Sequence, residues 1–276
     1  MKLIVFSKSL IDKSIDDLVQ IALDLGFDGY DLCVRPGYPI NPDNAAVQLP
    51  RAAEKMAAAG LSLPMVTAAT DLRQPDDPSA ETILTAMDKS GIRLIKLGYF
   101  KYDPVTQDFW KEAEKIRQAF AGWEKLAKKH NVKICYHTHS LRHWASNASM
   151  LMHLIKGFDP NYIGAFLDSG HMVAEGEEFC VAAAMLEQYL SIVSLKDFML
   201  RRVEKNGHGS LAIDVVEAGT GMTDFSDVFS TVSRLGFSGP LSAHCEFKIP
   251  KDGLLAGIKR EIAFFNKLRA EIAHKE

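Results

Sequence analysis

Residues 133–139 read Lys133-Ile134-Cys135-Tyr136-His137-Thr138-His139, and residues 163–171 read Ile163-Gly164-Ala165-Phe166-Leu167-Asp168-Ser169-Gly170-His171. Each is a short apolar run that ends in residues suited to acid–base or metal chemistry. Leu241-Ser242-Ala243-His244-Cys245-Glu246 repeats the pattern. Continuously apolar runs of this length fit strands buried on both faces of a parallel sheet. In a closed (β/α)8 barrel the C-terminal ends of the strands converge on one mouth, where the active site lies. That fold would bring the three clusters, distant in sequence, to one point.

Working outward, the same rhythm predicts strands over Lys2–Phe6, Gly29–Leu32, Ser62–Val66, Leu94–Leu97, Lys133–Tyr136, Ile163–Leu167, Ile192–Leu195 and Leu241–Ala243. Helical periodicity lies between them, over Ser14–Leu25, Asp108–Lys129, Ser146–Lys156, Glu177–Tyr189, Phe225–Leu235 and Gly253–Ala273. Gly26, Gly60, Gly91 and Gly236 stand where helices should end. An open doubly wound sheet also alternates strand and helix, but no Gly-rich phosphate loop follows the first strand. The reading is one α/β domain over 1–276, a (β/α)8 TIM barrel. Two long segments, Asp71–Ser79 and Phe198–Asp224, are expected as loops on the active-site face.

A chain of 276 residues suits one such barrel, which typically takes ~250. A net charge of −3 gives no electrostatic case for nucleic acid or a membrane surface. No apolar stretch approaches the ~20 residues that span a bilayer. The N-terminus reads as a strand, too short for a signal-peptide core. Cys33, Cys135, Cys180 and Cys245 show no Cys-x-x-Cys spacing and read as reduced thiols. A cytoplasmic location is the simplest expectation.

The strand ends carry the chemistry. Asp168 and His171 share a face if a helical turn opens after the sixth strand, where they would bind metal or substrate; the plainer alternative is a helix cap and a packed imidazole. His137 and His139 point the same way if the chain stays extended. Glu246, two residues after His244, is placed to ligate metal or to take a proton from a carbon beside a carbonyl; its plainer use is a salt bridge with Lys248 or a loop arginine. Lys196 is placed to stabilise an enolate, with Asp197 to orient it. Lys96, Tyr99 and Arg35 follow other strands and suit a polyol hydroxyl or an anionic group. Trp144 and Phe247 would serve as an apolar wall beneath a sugar ring or as core.

At these residues the chain resembles the xylose-isomerase-like TIM barrels, which include sugar epimerases, hydroxypyruvate isomerase, inosose dehydratase and, more distantly, endonuclease IV. The resemblance rests on Gly26-Phe27-Asp28-Gly29-Tyr30-Asp31-Leu32, Asp168-x-x-His171, Lys196-Asp197, Gly219-x-Gly221 and Gly239-Pro240-Leu241-Ser242-Ala243-His244-Cys245-Glu246. It implies one divalent metal (Mn, Mg, Co or Zn) held by His137, Asp168 and Glu246, with help from His171, His139 or water. Two positions depart from the epimerase pattern: His137 replaces a glutamate after the fifth strand, and Ser194 replaces a histidine. The Tyr136-His137-Thr138-His139 string is similar to the inosose dehydratase branch. The endonuclease activity is excluded by the acidic balance and the short histidine set.

The resulting expectation is a metal-assisted sugar isomerase or epimerase acting through an enediolate. Glu246, His139 and Lys196 are the expected catalytic residues. His171, Lys96, Arg35 and His244 are expected to bind a small carbohydrate. A dehydratase of a keto-inositol or keto-sugar is the alternative, followed by a non-catalytic carbohydrate-binding barrel. A homodimer is the expected assembly, with no nucleic acid and no membrane partner.

Overall fold

The computed structural model describes residues 1–273; residues 274–276 of the expected domain lie outside the described residues. In chain order the elements are β1 (Leu3–Phe6), α1 (Ile15–Leu25), β2 (Gly29–Val34), α2 (Ala45–Ala58), β3 (Ser62–Ala68), α3 (Pro78–Ser90), β4 (Leu94–Lys96) and α4 (Phe109–His130). They continue with β5 (Lys133–His137), α5 (Ala148–Ile155), β6 (Ile163–Asp168), α6 (Ser169–Glu175), α7 (Phe179–Leu186) and β7 (Leu190–Leu195). The last are β8 (Asp197–Lys205), β9 (His208–Val216), α8 (Phe225–Arg234), β10 (Leu241–Ala243) and α9 (Leu254–Ala273).

Eight of these strands pair in parallel and close a barrel in the order β1-β10-β7-β6-β5-β4-β3-β2. Closure is made by β1 on β10, with Leu3, Ile4 and Val5 opposite Leu241, Ser242 and Ala243. The eight strands are those expected, with ends shifted by at most two residues. The apolar runs have two destinations. Ile4, Met65, Cys135, Phe166 and Ile192 fill the barrel interior as a separate cluster. Their neighbours in the strands, among them Leu3, Val66, Ile134, Leu167 and Val193, pack outward against the helices. Both faces are dry, so both alternate positions had to be apolar.

Local chemistry sets the helix ends. At α1 the Ser14 hydroxyl accepts the Asp17 N–H at 3.1 Å, and the Asp17 carboxylate accepts the Ser14 N–H at 2.9 Å. Gly26 then ends the helix in the left-handed conformation. Two helices absent from the expected set, α2 and α3, finish next to Gly60 and Gly91. Pro50 inside α2 obscures its helical signal.

The segment 198–224 corrects the expectation of a long loop. It folds as an antiparallel hairpin of β8 and β9, in register from Asp197–Val216 to Lys205–His208. Asp71–Asp77 is a loop, and Asp77 caps α3 through the Ser79 N–H. Gly98 lets that loop lie against the barrel rim, since a Cβ there would sit 2.5 Å from the Thr70 carbonyl oxygen.

Candidate active site

A cavity of about 530 Å³ opens at the C-terminal ends of the barrel strands. Phe6 and Phe166 line it, together with His137, His139, Lys196, His244, Glu246, Lys96, Tyr99 and Arg35. Three stretches far apart in the chain therefore meet at one mouth. Alternation continues past the strand ends. His137 and His139 line the cavity, and the intervening Thr138 is buried with its hydroxyl oxygen accepting the Asp168 N–H at 2.9 Å. His244 and Glu246 line it likewise, while Cys245 is buried next to Glu261.

Asp168 lies beneath the cavity, fully buried. Its Oδ1 accepts the His171 N–H at 2.9 Å, so it does cap α6. Its Oδ2 accepts the Ser194 hydroxyl at 2.6 Å and lies 3.2 Å from His137 Nε2 and 3.9 Å from His244 Nδ1. Donor atoms of His137, Asp168 and His244 all fall within 4.8 Å of one another. His137 Nε2 and both ring nitrogens of His244 are buried without a hydrogen-bond partner. Unpartnered nitrogens converging on a buried carboxylate are what a divalent cation would satisfy. The donor set fits Zn, Mn or Co.

This cluster differs from the ligand set drawn from the sequence. His244, expected to contact substrate, stands in it. Glu246, expected in it, is ion-paired with Lys8 and with Lys196, whose Nζ lies 2.5 Å from Oε2. Two ammonium groups hold the Glu246 side chain, although its Oε2 remains 3.6 Å from His244 Nδ1. Ser194, at the position of the absent histidine, serves Asp168 by hydrogen bonding rather than as a ligand.

Hydrogen bonds fix the imidazole tautomers. His139 Nδ1–H donates to the Ser140 carbonyl at 3.0 Å, which leaves Nε2 as a bare acceptor. Burial, then neighbouring His171, holds His139 down at about 2, so it is neutral. His171 Nδ1 accepts the Ser140 N–H at 3.2 Å, which places its proton on Nε2. The ring of His171 packs at a tilt against His139 with centroids 4.0 Å apart and is not part of the cavity lining. His137 Nδ1 meets the Tyr99 hydroxyl at 3.1 Å, and burial holds its ring at about 3. His244 moves the other way: burial opposes its charge, but Asp31 and Glu246 outweigh burial and raise it.

The lysines divide into two kinds. Lys196 is buried yet raised, because Asp168 and Glu246 outweigh desolvation. The same contact, with His244 and Lys8, holds Glu246 far below the carboxylate range despite its burial. Lys96 is buried with Nζ 3.5 Å over the Tyr99 ring and no hydrogen-bond partner. Burial, and next to it the Arg35 guanidinium, pushes it well below the lysine range.

Asp197 does not orient Lys196. It accepts the N–H groups of Gly219, Gly221 and Thr223 at 3.0, 2.7 and 3.0 Å and ties the hairpin's base to the barrel. Trp144 packs on Tyr102 and Phe109, and Phe247 is buried against Gly257; neither lines the cavity. The sequence reading missed Lys8, Asp31, Arg73, Lys101 and His143. Lys8 had a legible signal, since it follows the first strand by two residues. Asp31, which accepts the hydroxyls of Thr67 at 2.5 Å and Ser242 at 3.1 Å, looks like one residue of a strand until the barrel's inside is known.

A family profile described as "Xylose isomerase-like TIM barrel" matches residues 19–268, and the chain belongs to that family. Inosose dehydratase 2 of Bacillus cereus is 26% identical over 175 residues, 59% of this chain and 56% of the relative. The match thus spans about half the length of that protein. The fold is shared with L-ribulose 3-epimerase, at TM-score 0.76 and 16% identity, covering 99% of this chain and 96% of that one. It is also shared with the IOLI protein in a structure with a bound zinc atom, at TM-score 0.73 and 16% identity, covering 100% and 99%. No helix of the described residues is long and apolar enough to cross a membrane.

Proposed function

We propose that this member of the xylose isomerase-like TIM barrel family is a metal-assisted isomerase or epimerase of a small sugar, keto-sugar or sugar derivative, acting through an enediolate. One observation carries the reading: an ionised Glu246, paired at 2.5 Å with Lys196, stands in the cavity wall beside the His137–Asp168–His244 cluster. A divalent cation held by those three residues would supply Lewis-acid polarisation of the substrate carbonyl. Glu246 takes the proton from the carbon next to that carbonyl, and the bonding pair moves onto the carbonyl oxygen. Lys196, 8% exposed and positively charged, turns its ammonium from Glu246 toward that oxygen as charge develops there. Losing its counter-cation makes Glu246 a stronger base at the step that needs one. His139 Nε2, a bare acceptor, holds a substrate hydroxyl rather than giving a proton.

The hydroxyl proton on the adjacent oxygen passes to the former carbonyl oxygen, and Glu246 returns its proton to the former carbonyl carbon, which completes an isomerisation. Delivery to the opposite face, as epimerisation at one carbon needs, has no second buried glutamate among the described residues of the cavity lining, so the isomerase form of the reading is favoured. Glu246→Gln tests it. Solvent deuterium uptake into a keto-sugar should disappear in the variant while the fold persists; unchanged exchange removes the mechanism.

The similarity to an inosose dehydratase favours a second reading, a lyase. The same enolate would expel a β-hydroxyl as water instead of being reprotonated. A product lighter by one water supports the lyase, and deuterium gain without mass loss supports the isomerase. A homodimer remains the expected assembly.

A further inference from the structure

Charge is divided across this cavity. On the β10 and β7 side, Lys8 and Lys196 are matched by Glu246. In the barrel order β10 faces β4, and β7 faces β3. Lys96 at the end of β4 stands on that far side, and Arg35, just after β2, stands between it and β1; both line the cavity. Among the described residues neither has a carboxylate partner within ion-pair distance. Lys96 is 2% exposed, and its Nζ has no hydrogen bond. Arg35 spends only Nε, which donates to the Ala68 carbonyl at 2.9 Å, so its terminal guanidinium nitrogens are uncommitted. Its Cζ sits 5.5 Å from the Phe6 ring centroid, on β1.

We propose that Lys96 and Arg35 form a subsite for a negatively charged group, a carboxylate or phosphate, carried by the substrate. The inference rests on reading this cavity as a keto-sugar site and names the class of sugar: an acidic one. A buried, unpartnered ammonium is costly to keep. A substrate anion placed between Lys96 and the guanidinium answers both groups, and an Arg fork suits carboxylate and phosphate oxygens alike. Neutral polyol hydroxyls would supply no counter-charge to the guanidinium or to a protonated Lys96. Burial and then Arg35 hold Lys96 well below the lysine range, and an anion between the two favours its protonated form.

A matched series separates the possibilities: D-fructose, D-fructuronate and D-fructose 6-phosphate, which differ only at carbon six. Each is titrated calorimetrically into the wild-type protein with and without added Mn²⁺. At least one acid is expected to bind about tenfold or more tighter than fructose, as expected for charge-assisted hydrogen bonds to a buried subsite. The tighter of the two identifies the carboxylate or the phosphate as its source. Lys96→Met and Arg35→Met, checked for folding by near-ultraviolet circular dichroism, should each abolish most of the preference, read as the ratio of acid to fructose affinity within the same variant. Fructose binding as tightly as both acids overturns the subsite and leaves the keto-sugar reading standing. A preference that survives in both variants overturns it as well. An acid preference lost in the variants, beside deuterium exchange that survives in Glu246→Gln, keeps the subsite and removes the mechanism. Failure of all three sugars to bind removes the keto-sugar reading and the subsite with it.

Discussion

Lys196 Nζ lies 2.5 Å from Glu246 Oε2 and 4.0 Å from Asp168 Oδ2, so one buried ammonium spans the proposed base and the metal-type carboxylate. Each partner's charge is kept by the other, and each would be an expensive orphan alone. Replacing Lys196 with Met is expected to lower turnover by about 10²–10³-fold, the usual cost of a lost donor at a developing oxyanion. Lys196→Arg should rescue little, because a planar fork cannot occupy the position of a point charge between two carboxylates. Steady-state rates on an accepted sugar check this; a Met variant at wild-type rate would mean the ion pair is structural.

Metal content is expected at about one Zn, Mn or Co per chain after incubation, since a single cluster of suitable donors is present among the described residues. His137→Ala and His244→Ala should each weaken it strongly. Tyr99→Phe should weaken it by about 10-fold or more, because the Tyr99 hydroxyl sets the tautomer of His137 from its far nitrogen. Elemental analysis and chelator competition read all three. Retention in His244→Ala with loss in Glu246→Ala would replace the cluster by His137, Asp168 and Glu246.

Asp197→Ala should destabilise the protein by about 3 kcal/mol, because three backbone N–H groups lose an ionised acceptor. Gly221→Ala is expected to act in the same direction, since a Cβ there overlaps the Asp197 carboxylate. Thermal unfolding measures the loss. Proteolysis within the hairpin should rise in both variants, because Asp197 ties its base to the barrel.

The barrel was legible because its physics leaves few choices. Strands dry on both faces must be apolar except where buried polar groups satisfy one another, as Asp31 does with Thr67 and Ser242, and Ile134 and Cys135 satisfy opposite sides of one wall. The site was legible in part for the same reason: a polar residue directly after such a run can only be at the rim. The hairpin was hidden by its exposed polar strands, yet it held a signal in Asn206-Gly207. Both residues adopt positive φ, 54° and 76°, as a two-residue hairpin turn requires. The division of labour between His244 and Glu246 was not legible. It depends on Lys8 and Lys196 reaching the same carboxylate from β1 and β7, a fact of three-dimensional register. Lys96 was visible as a strand-end residue, but not that it lacks a partner.

Stability should depend on pH through Glu261, a carboxyl of α9 that is 3% exposed. Its Oε1 accepts the Ala218 N–H at 2.8 Å, while Oε2 has no hydrogen-bond partner in the structure. Burial raises it from 4.5 to about 7; the Cys245 thiol and the Ala218 N–H oppose that rise, and Glu217 and Asp197 add to it. A carboxyl raised in the folded state binds its proton more tightly folded than unfolded. Its contribution is therefore complete below the unfolded value of 4.5 and is lost as pH rises through about 7. The slope across that window is about 1.4 kcal/mol per pH unit, or about 3 kcal/mol in all. Glu261→Gln, which keeps an acceptor for Ala218 and carries no charge, should flatten this part of the curve and be the more stable protein at pH 8. Urea unfolding of both proteins at pH 5 and pH 8 measures the difference. Parallel pH dependence in the two would show that Glu261 is ionised in the folded protein throughout, and that a charge beside Cys245 is tolerated beneath the site.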